Sequence, residues 1–201
     1  MSKPAFSPTF SLDDFWQSEA QDHQNVAAAT FGTLQNDFAR MLDICASALG
    51  AGGKIMFFGN GGSAADAQHI ATELSVRYVK DRKALAAIAL TTDTSTLTAA
   101  GNDYGFDHIF SRQIEAIGQS GDVAIGFSTS GNSGNVLKAL KHAHDNGIHT
   151  VGFSGRDGGK MHDLCDVLLV VPSDTTARIQ EMHITLGHML CGALEQKLGL
   201  A

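Results

Sequence analysis

Residues 54–78 read KIMFFGNGGSAADAQHIATELSVRY, and this stretch constrains the rest of the chain most. An apolar run, Ile55–Phe58, ends abruptly in Gly59-Asn60-Gly61-Gly62-Ser63, and a helical pattern starts at about Ala64. Strand, glycine loop and helix in that order turn the helix N-terminus, with its unpaired N–H groups and positive dipole end, toward an anion. Glycines suit the loop because a Cβ would hold a phosphate away from the backbone N–H groups and forbid left-handed turns. His69 and Glu73 follow on the helix, four residues apart and so on one face. Such a pair is either an ordinary i,i+4 contact worth about 0.3 kcal/mol or part of a site.

Two nucleotide readings fail. Gly59-x-Gly61-x-x-Ala64 fits the dinucleotide fingerprint, which also needs an acidic residue near the end of the next strand, about 20 residues on. The next apolar run, Ala84–Leu90, ends in Thr91-Thr92, and Asp81 falls before it. No GxxxxGK[ST] segment occurs either, which argues against a nucleoside triphosphatase.

The flanking chain alternates strand and helix patterns. Ser11-Leu-Asp-Asp14 resembles a capping box opening a short helix, with Phe15 and Trp16 as its apolar contacts. A longer helix is expected from Phe31 to Leu49, stopped by Gly50-Ala-Gly-Gly53, with more apolar surface than a small sheet covers. Ala84–Leu90 reads as a strand buried on both faces, followed by a short helix ending near Gly101–Gly105 and an amphipathic stretch from Phe106 to Ile117. Strands are expected at Asp122–Phe127, His149–Phe153 and Val167–Val171, and the last helix at about Thr176–Lys197. This predicts an α/β three-layer sandwich: a mainly five-stranded parallel sheet flanked by helices, with right-handed crossovers and ligands at the carboxyl ends of the strands. The boundaries expected are an N-terminal extension, 1–25, whose first ten residues carry little pattern, and a single domain, 26–201.

A net charge of −7 and a pI near 5.6 argue against nucleic-acid or acidic-membrane partners. No apolar run reaches the roughly 18 residues of a membrane span, and the N-terminus lacks a signal-peptide pattern. Cys45, Cys165 and Cys191 are odd in number and widely spaced, as in a reducing compartment, so the expected location is cytoplasmic.

Ser128-Thr-Ser-Gly-Asn-Ser133 is a second polar turn at the same sheet edge, rich in hydroxyls and placed just before a helix. It suits a phosphate without a lysine or a metal, although N-capping accounts for one or two of the hydroxyls. With this turn in place, GNGGSAADAQH (59–69), LTTDTSTLTAAGNDYGFDHIFSRQIEA (90–116), GDVAIGFSTSGNSGNV (121–136), GRDGGKM (155–161) and ARIQEMHITLGH (177–188) resemble the phosphoheptose isomerases of the sugar-isomerase (SIS), flavodoxin-like fold. The resemblance runs from about residue 25 onward; the first 25 residues do not match the family pattern.

The resemblance implies zinc held by His69, Glu73, Gln180 and His188. It also implies a sugar phosphate held by Asn60, Gly61, Gly62, Ser63, Glu73, Asn102, Asp103, Ser128, Thr129, Ser130, Ser133 and Gln180. Glu73 and His188 become the catalytic pair, base and acid, for converting D-sedoheptulose 7-phosphate to D-glycero-D-manno-heptose 7-phosphate, the first step toward nucleotide-activated heptose. A homotetramer with sites at subunit interfaces is implied as well. A histidine and a carboxylate one turn apart can reach one metal. Gln180 and His188 sit less easily together, about 12 Å apart along a straight helix and roughly 80° apart around it. Either their side chains lean toward each other or the ligands come from different chains.

Other polar residues have plainer readings. His108, His142, His144 and His149 read as solvated or capping, Cys191 as core, and His183 as either a partner behind the site or a surface residue. Arg77 would pair with Glu73 or with the ligand. The competing functional class is a non-catalytic member of the same fold: a sugar-phosphate sensor, or an adaptor associated with a replication initiator. Such a module needs the hydroxyl turn but neither a base nor a metal.

Overall fold

Five strands pair in parallel in the order β2-β1-β3-β4-β5, where β1 is Ile55–Gly59, β2 Ala87–Ala89, β3 Val123–Ser128, β4 His149–Gly155 and β5 Val167–Val171. The structure is a computed structural model that describes residues 10–200. The patternless opening residues 1–9 lie outside the described residues. Every residue of β1 and β3 is buried, because helices cover both faces, and this is why their sequences are continuously apolar rather than alternating. The expected strand at Ala84–Leu90 is shorter than its apolar run. β2 spans three residues at the sheet edge, and Ile88 is exposed, so it is not buried on both faces.

One layer is made by α2 (Gln35–Gly50), α3 (Gly62–Ser75) and α7 (Thr176–Lys197), which bury Met41, Cys45, Ile70, Leu74, Leu190 and Leu194 against Phe57, Phe127 and Phe153. The other layer is α4 (Thr94–Tyr104), α5 (Ser111–Ile117) and α6 (Gly134–Asp145), packed on Met56, Phe58 and Ala124 through Phe110, Ile114, Val136 and Leu140. Short 3₁₀ turns at Phe106–His108 and Gly159–Asp163 complete the connections.

The N-terminal part differs most from expectation. Ser11 does cap a helix, accepting from Asp14 N at 3.3 Å, but α1 runs the whole way from Leu12 to Thr33. The chain breaks at Leu34 before α2, so the boundary between the two helices falls inside the second helix expected from Phe31 to Leu49. Phe15 and Trp16 are exposed rather than packed. Arg178 fastens α1 to α7: its side chain is almost buried, bonds Glu19 O at 2.9 Å and pairs with Glu181 at 2.7 Å and Glu19 at 3.3 Å.

The strand order reverses direction between β1 and β3, and in open α/β sheets that switch point is where a crevice forms outside the carboxyl ends. Gly59, the last residue of β1, pairs with Phe127, one residue before β3 ends. The glycine loop and the hydroxyl turn are therefore neighbours. Among the described residues, no helix is long and apolar enough to cross a membrane.

Candidate active site at the switch point and the α3–α7 seam

Gly61, with φ 57° and ψ −120°, starts α3 in a conformation that L side chains rarely adopt, and no side chain caps the helix. The helix end is thus left open toward solvent and a ligand. Asn60 exchanges two hydrogen bonds of 2.8 Å with Asn135, the second residue of α6, so the glycine loop and the hydroxyl turn are locked together. Asn135 was not singled out by sequence; it is buried and its Oδ1 also accepts from Val136 N at 2.9 Å. Its one signal is a second asparagine just after the Gly-Asn-Ser run.

The hydroxyls of Ser128–Ser133 do not serve the helix as caps. Ser133 stands at the N-cap of α6, yet its side chain makes no capping bond and meets Ser128 Oγ at 2.8 Å instead. Ser130 Oγ accepts from Asn132 N at 3.2 Å and, like Thr129, remains partly exposed. Ser63 is buried in the first turn of α3. Asn102 and Asp103, at the end of α4, are exposed, and among the described residues their side chains hydrogen-bond only to each other, at 2.8 Å. Asp93 is the N-cap of α4, accepting from Thr96 N and Thr96 Oγ1.

Two turns along α3 the seam with α7 brings three donors together. His69 Nε2 lies 2.9 Å from His188 Nε2 and 3.3 Å from Glu73 Oε1, and one donor atom from each residue falls within 4.8 Å of the others. The approach depends on Gly187, where an added Cβ would stand 2.6 Å from Ile70 Cδ1. Gly187 and Ile70 are the immediate neighbours of His188 and His69, so a close contact of the two helices lies beside the trio. Tyr78 stacks on the His188 ring (5.8 Å between centroids, 23° between planes), and the two border a cleft of about 520 Å³. The segment bearing Tyr78 is held by Glu195, which accepts from the N–H groups of Tyr78, Val79 and Lys80 and from Arg82 Nε at 2.8 Å. Burial works against the Glu195 carboxylate, but these donors outweigh it and hold its pKa below the usual range.

A tetrahedral zinc with donors at about 2.0–2.1 Å spaces its ligands about 3.4 Å apart. The 2.9 and 3.3 Å separations found here come near that spacing, and two imidazoles with a carboxylate form a donor set zinc accepts. The trio therefore fits the ion. Gln180 is placed elsewhere: its amide lies against Gly62, where an added Cβ would be 2.6 Å from Nε2. Gly62 and His69 are seven residues apart, about 10 Å along α3. The structure thus unites three of the four implied ligands in one protomer and sets the fourth beside the glycine loop.

Two further readings resolve. His183 is no surface residue: it is fully buried, bonds Ser154 O through Nε2 at 3.0 Å, and leaves Nδ1 without a partner. Burial pushes its pKa down to about 4, so the ring is neutral. Arg77 lies beyond the end of α3 and makes no ion pair with Glu73 among the described residues; Arg82 instead donates to Glu73 O at 3.0 Å. Asp66, which the sequence did not single out, lies one turn before His69 with Oδ2 buried and unpartnered, and burial raises its pKa to about 6 against the opposing pull of His69.

An SIS domain family model matches residues 20–155. The phosphoheptose isomerase of Paramagnetospirillum magneticum is 59% identical over 90% of this chain and 94% of that protein. The chain belongs to the phosphoheptose isomerase family. A solved phosphoheptose isomerase from Neisseria gonorrhoeae superposes with a TM-score of 0.88 at 45% identity, over 92% of this chain and 100% of that one. The Vibrio vulnificus NanR protein complexed with ManNAc-6P shares the fold more distantly, with a TM-score of 0.67 at 20% identity over 95% of this chain and 64% of that one. As a phosphoheptose isomerase family member the chain is a phosphosugar isomerase, and the SIS match covers both polar turns together with His69 and Glu73.

Proposed function

We propose that the chain interconverts D-sedoheptulose 7-phosphate and D-glycero-D-manno-heptose 7-phosphate by proton transfer through an enediol, using Glu73 and His188. The observation that carries this reading is the convergence of His69, Glu73 and His188 at the α3–α7 seam in a member of this family. The phosphate is seated by the open start of α3 at Asn60–Ser63 and by Ser128, Thr129, Ser130 and Ser133. These are neutral donors that bind the dianion through N–H and O–H groups and helix dipoles.

The reaction moves the carbonyl from C2 to C1. Glu73 takes the proton from C1 and returns it to C2, while His188 supplies a proton to O2 as that oxygen becomes a hydroxyl and accepts one from O1. Positioning such groups contributes roughly 10²–10⁴-fold in rate. His69, Glu73 and His188, with Gln180 as the fourth implied donor, would hold zinc; bound there, it supplies Lewis-acid polarisation of the carbonyl.

The assembly proposed is a homotetramer whose sites are completed between copies. In support, an apolar groove lined by Phe31, Leu34, Phe38, Leu186 and Met189 runs into the cleft beside His188, sharing Phe38 and Met189 with it. Phe31 and Met189 are 48% and 42% exposed in the protomer, surface that a second copy would cover. The seat of Gln180 against Gly62, away from the trio, also favours ligands drawn from more than one copy. Cytoplasmic residence agrees with three free cysteines, whose thiols burial pushes up to about 12.

A sensor or adaptor would need the phosphate seat alone, so the donor trio favours the enzyme. The test is product analysis by NMR after incubating the purified protein with sedoheptulose 7-phosphate, with and without added zinc. Appearance of the aldose 7-phosphate supports the assignment. Binding without any conversion, zinc present, contradicts it.

A further inference from the structure

A fully buried imidazole with one hydrogen bond is an expensive core residue, and His183 is one. Its ring lies edge-on to Phe153 (centroids 5.7 Å, 86°) and beside Phe127 (5.9 Å), where a leucine would pack at lower desolvation cost. What a leucine lacks is a donor. The contact at 3.0 Å is to Ser154 O, and a carbonyl only accepts, so Nε2 carries the proton and donates.

The bond is the first of a series. Ser154 and Ser128 are partners in the last rung between β4 and β3. Ser154 Oγ donates to Ser128 O at 3.0 Å, and Ser128 Oγ meets Ser133 Oγ at 2.8 Å across the hydroxyl turn. Linked through Ser154 and Ser128, this series of hydrogen bonds runs from the middle of α7, through the end of β4, into the turn that follows β3. The same helix carries Gln180 one turn before His183 and His188 just beyond it.

We infer that His183 is a positioning residue for the phosphate seat: acting through Ser154, it sets the placement of the Ser128–Ser133 turn relative to α7 and hence relative to His188. The inference rests on reading that turn as the seat of the sugar phosphate. It assigns His183 no contact with the substrate and no part in proton transfer.

The experiment compares KM, kcat and the inhibition constant of inorganic phosphate, used as the probe of the seat, in four single variants. Ser130→Ala establishes the seat itself. It should raise KM and the phosphate inhibition constant together by about 10-fold, and if it moves neither, the seat reading fails and this inference falls with it. Given that seat, His183→Leu should raise both constants by a similar factor with kcat changed less than about twofold, the pattern of lost ground-state binding. His183→Gln, whose amide N–H can reach the same carbonyl, should recover most of the loss. Ser154→Ala breaks the next bond without disturbing the ring, and so carries the test even where His183→Leu does not fold. Unchanged KM in Ser154→Ala, or a fall in kcat at unchanged KM in the His183 variants, overturns the inference. A glutamine variant no better than leucine overturns it too, because the ring would then be filling space.

Discussion

His188 Nε2 stands 2.9 Å from His69 Nε2 although 119 residues separate them in the chain. Without an ion, one ring donates its N–H to the bare nitrogen of the other. A cation between two lone pairs and the Glu73 carboxylate makes the same arrangement strongly favourable.

The purified protein should therefore contain about one zinc per chain, each chain contributing one donor trio. His69→Ala should lower that content sharply by plasma mass spectrometry. Full occupancy in the variant would remove His69 from the ligand set.

Gly187 holds the helices close enough for the trio to form. Gly187→Ala places a methyl group where Ile70 Cδ1 already stands, 2.6 Å from the added Cβ, and Ile70 is fully buried. Relieving that overlap costs about 1–3 kcal/mol and pushes α7 away from α3. Zinc affinity, measured by competition with a chromophoric chelator, should fall by at least about 10-fold, within the range seen when groups supporting metal ligands are disturbed. Unchanged affinity would show that the seam adjusts around the new methyl.

Much of this was legible in the sequence. Apolar runs bounded by glycine turns marked β1, β3, β4 and β5 because strands buried on both faces have no polar side to blur them. The edge strand β2 was overcalled, since its apolar run continues past the three residues that pair. The break at Leu34 was not visible, because Phe31, Leu34, Phe38 and Met41 keep helical spacing across it and Gly32, two residues before it, did not read as a stop. At the site, the i,i+4 spacing of His69 and Glu73 reads directly from α3. The approach of His188 depends on how α3 and α7 pack, and no local pattern records that. His183 stayed open between a place behind the site and the surface for the same reason: an apolar stripe does not reveal which histidine faces the sheet.

Burial of His183 makes stability depend on pH. Its pKa falls from the ordinary value of about 6.5 to about 4 in the folded chain, so between those values the unfolded state binds more protons. Stability should be flat with respect to this group above about pH 6.5 and decline as pH falls toward 4, by about 2 kcal/mol from pH 7 to 5. Urea unfolding of the parent and of His183→Leu at those two pH values isolates the effect, because the other histidines are common to both. An identical pH dependence in the two proteins would contradict the buried, neutral ring.

In the proposed mechanism Glu73 moves the proton between C1 and C2. Glu73→Gln preserves size and hydrogen bonding but removes the basic carboxylate, while the phosphate seat at Ser128–Ser133 is untouched. Because Glu73 is also a proposed zinc donor, the decisive measurement is kcat of the Glu73→Gln protein at a zinc content measured in the same sample. A fall of at least about 10²-fold in zinc-replete protein, with substrate still bound, is the expected result. Zinc-replete Glu73→Gln protein turning over near the parent rate would contradict it.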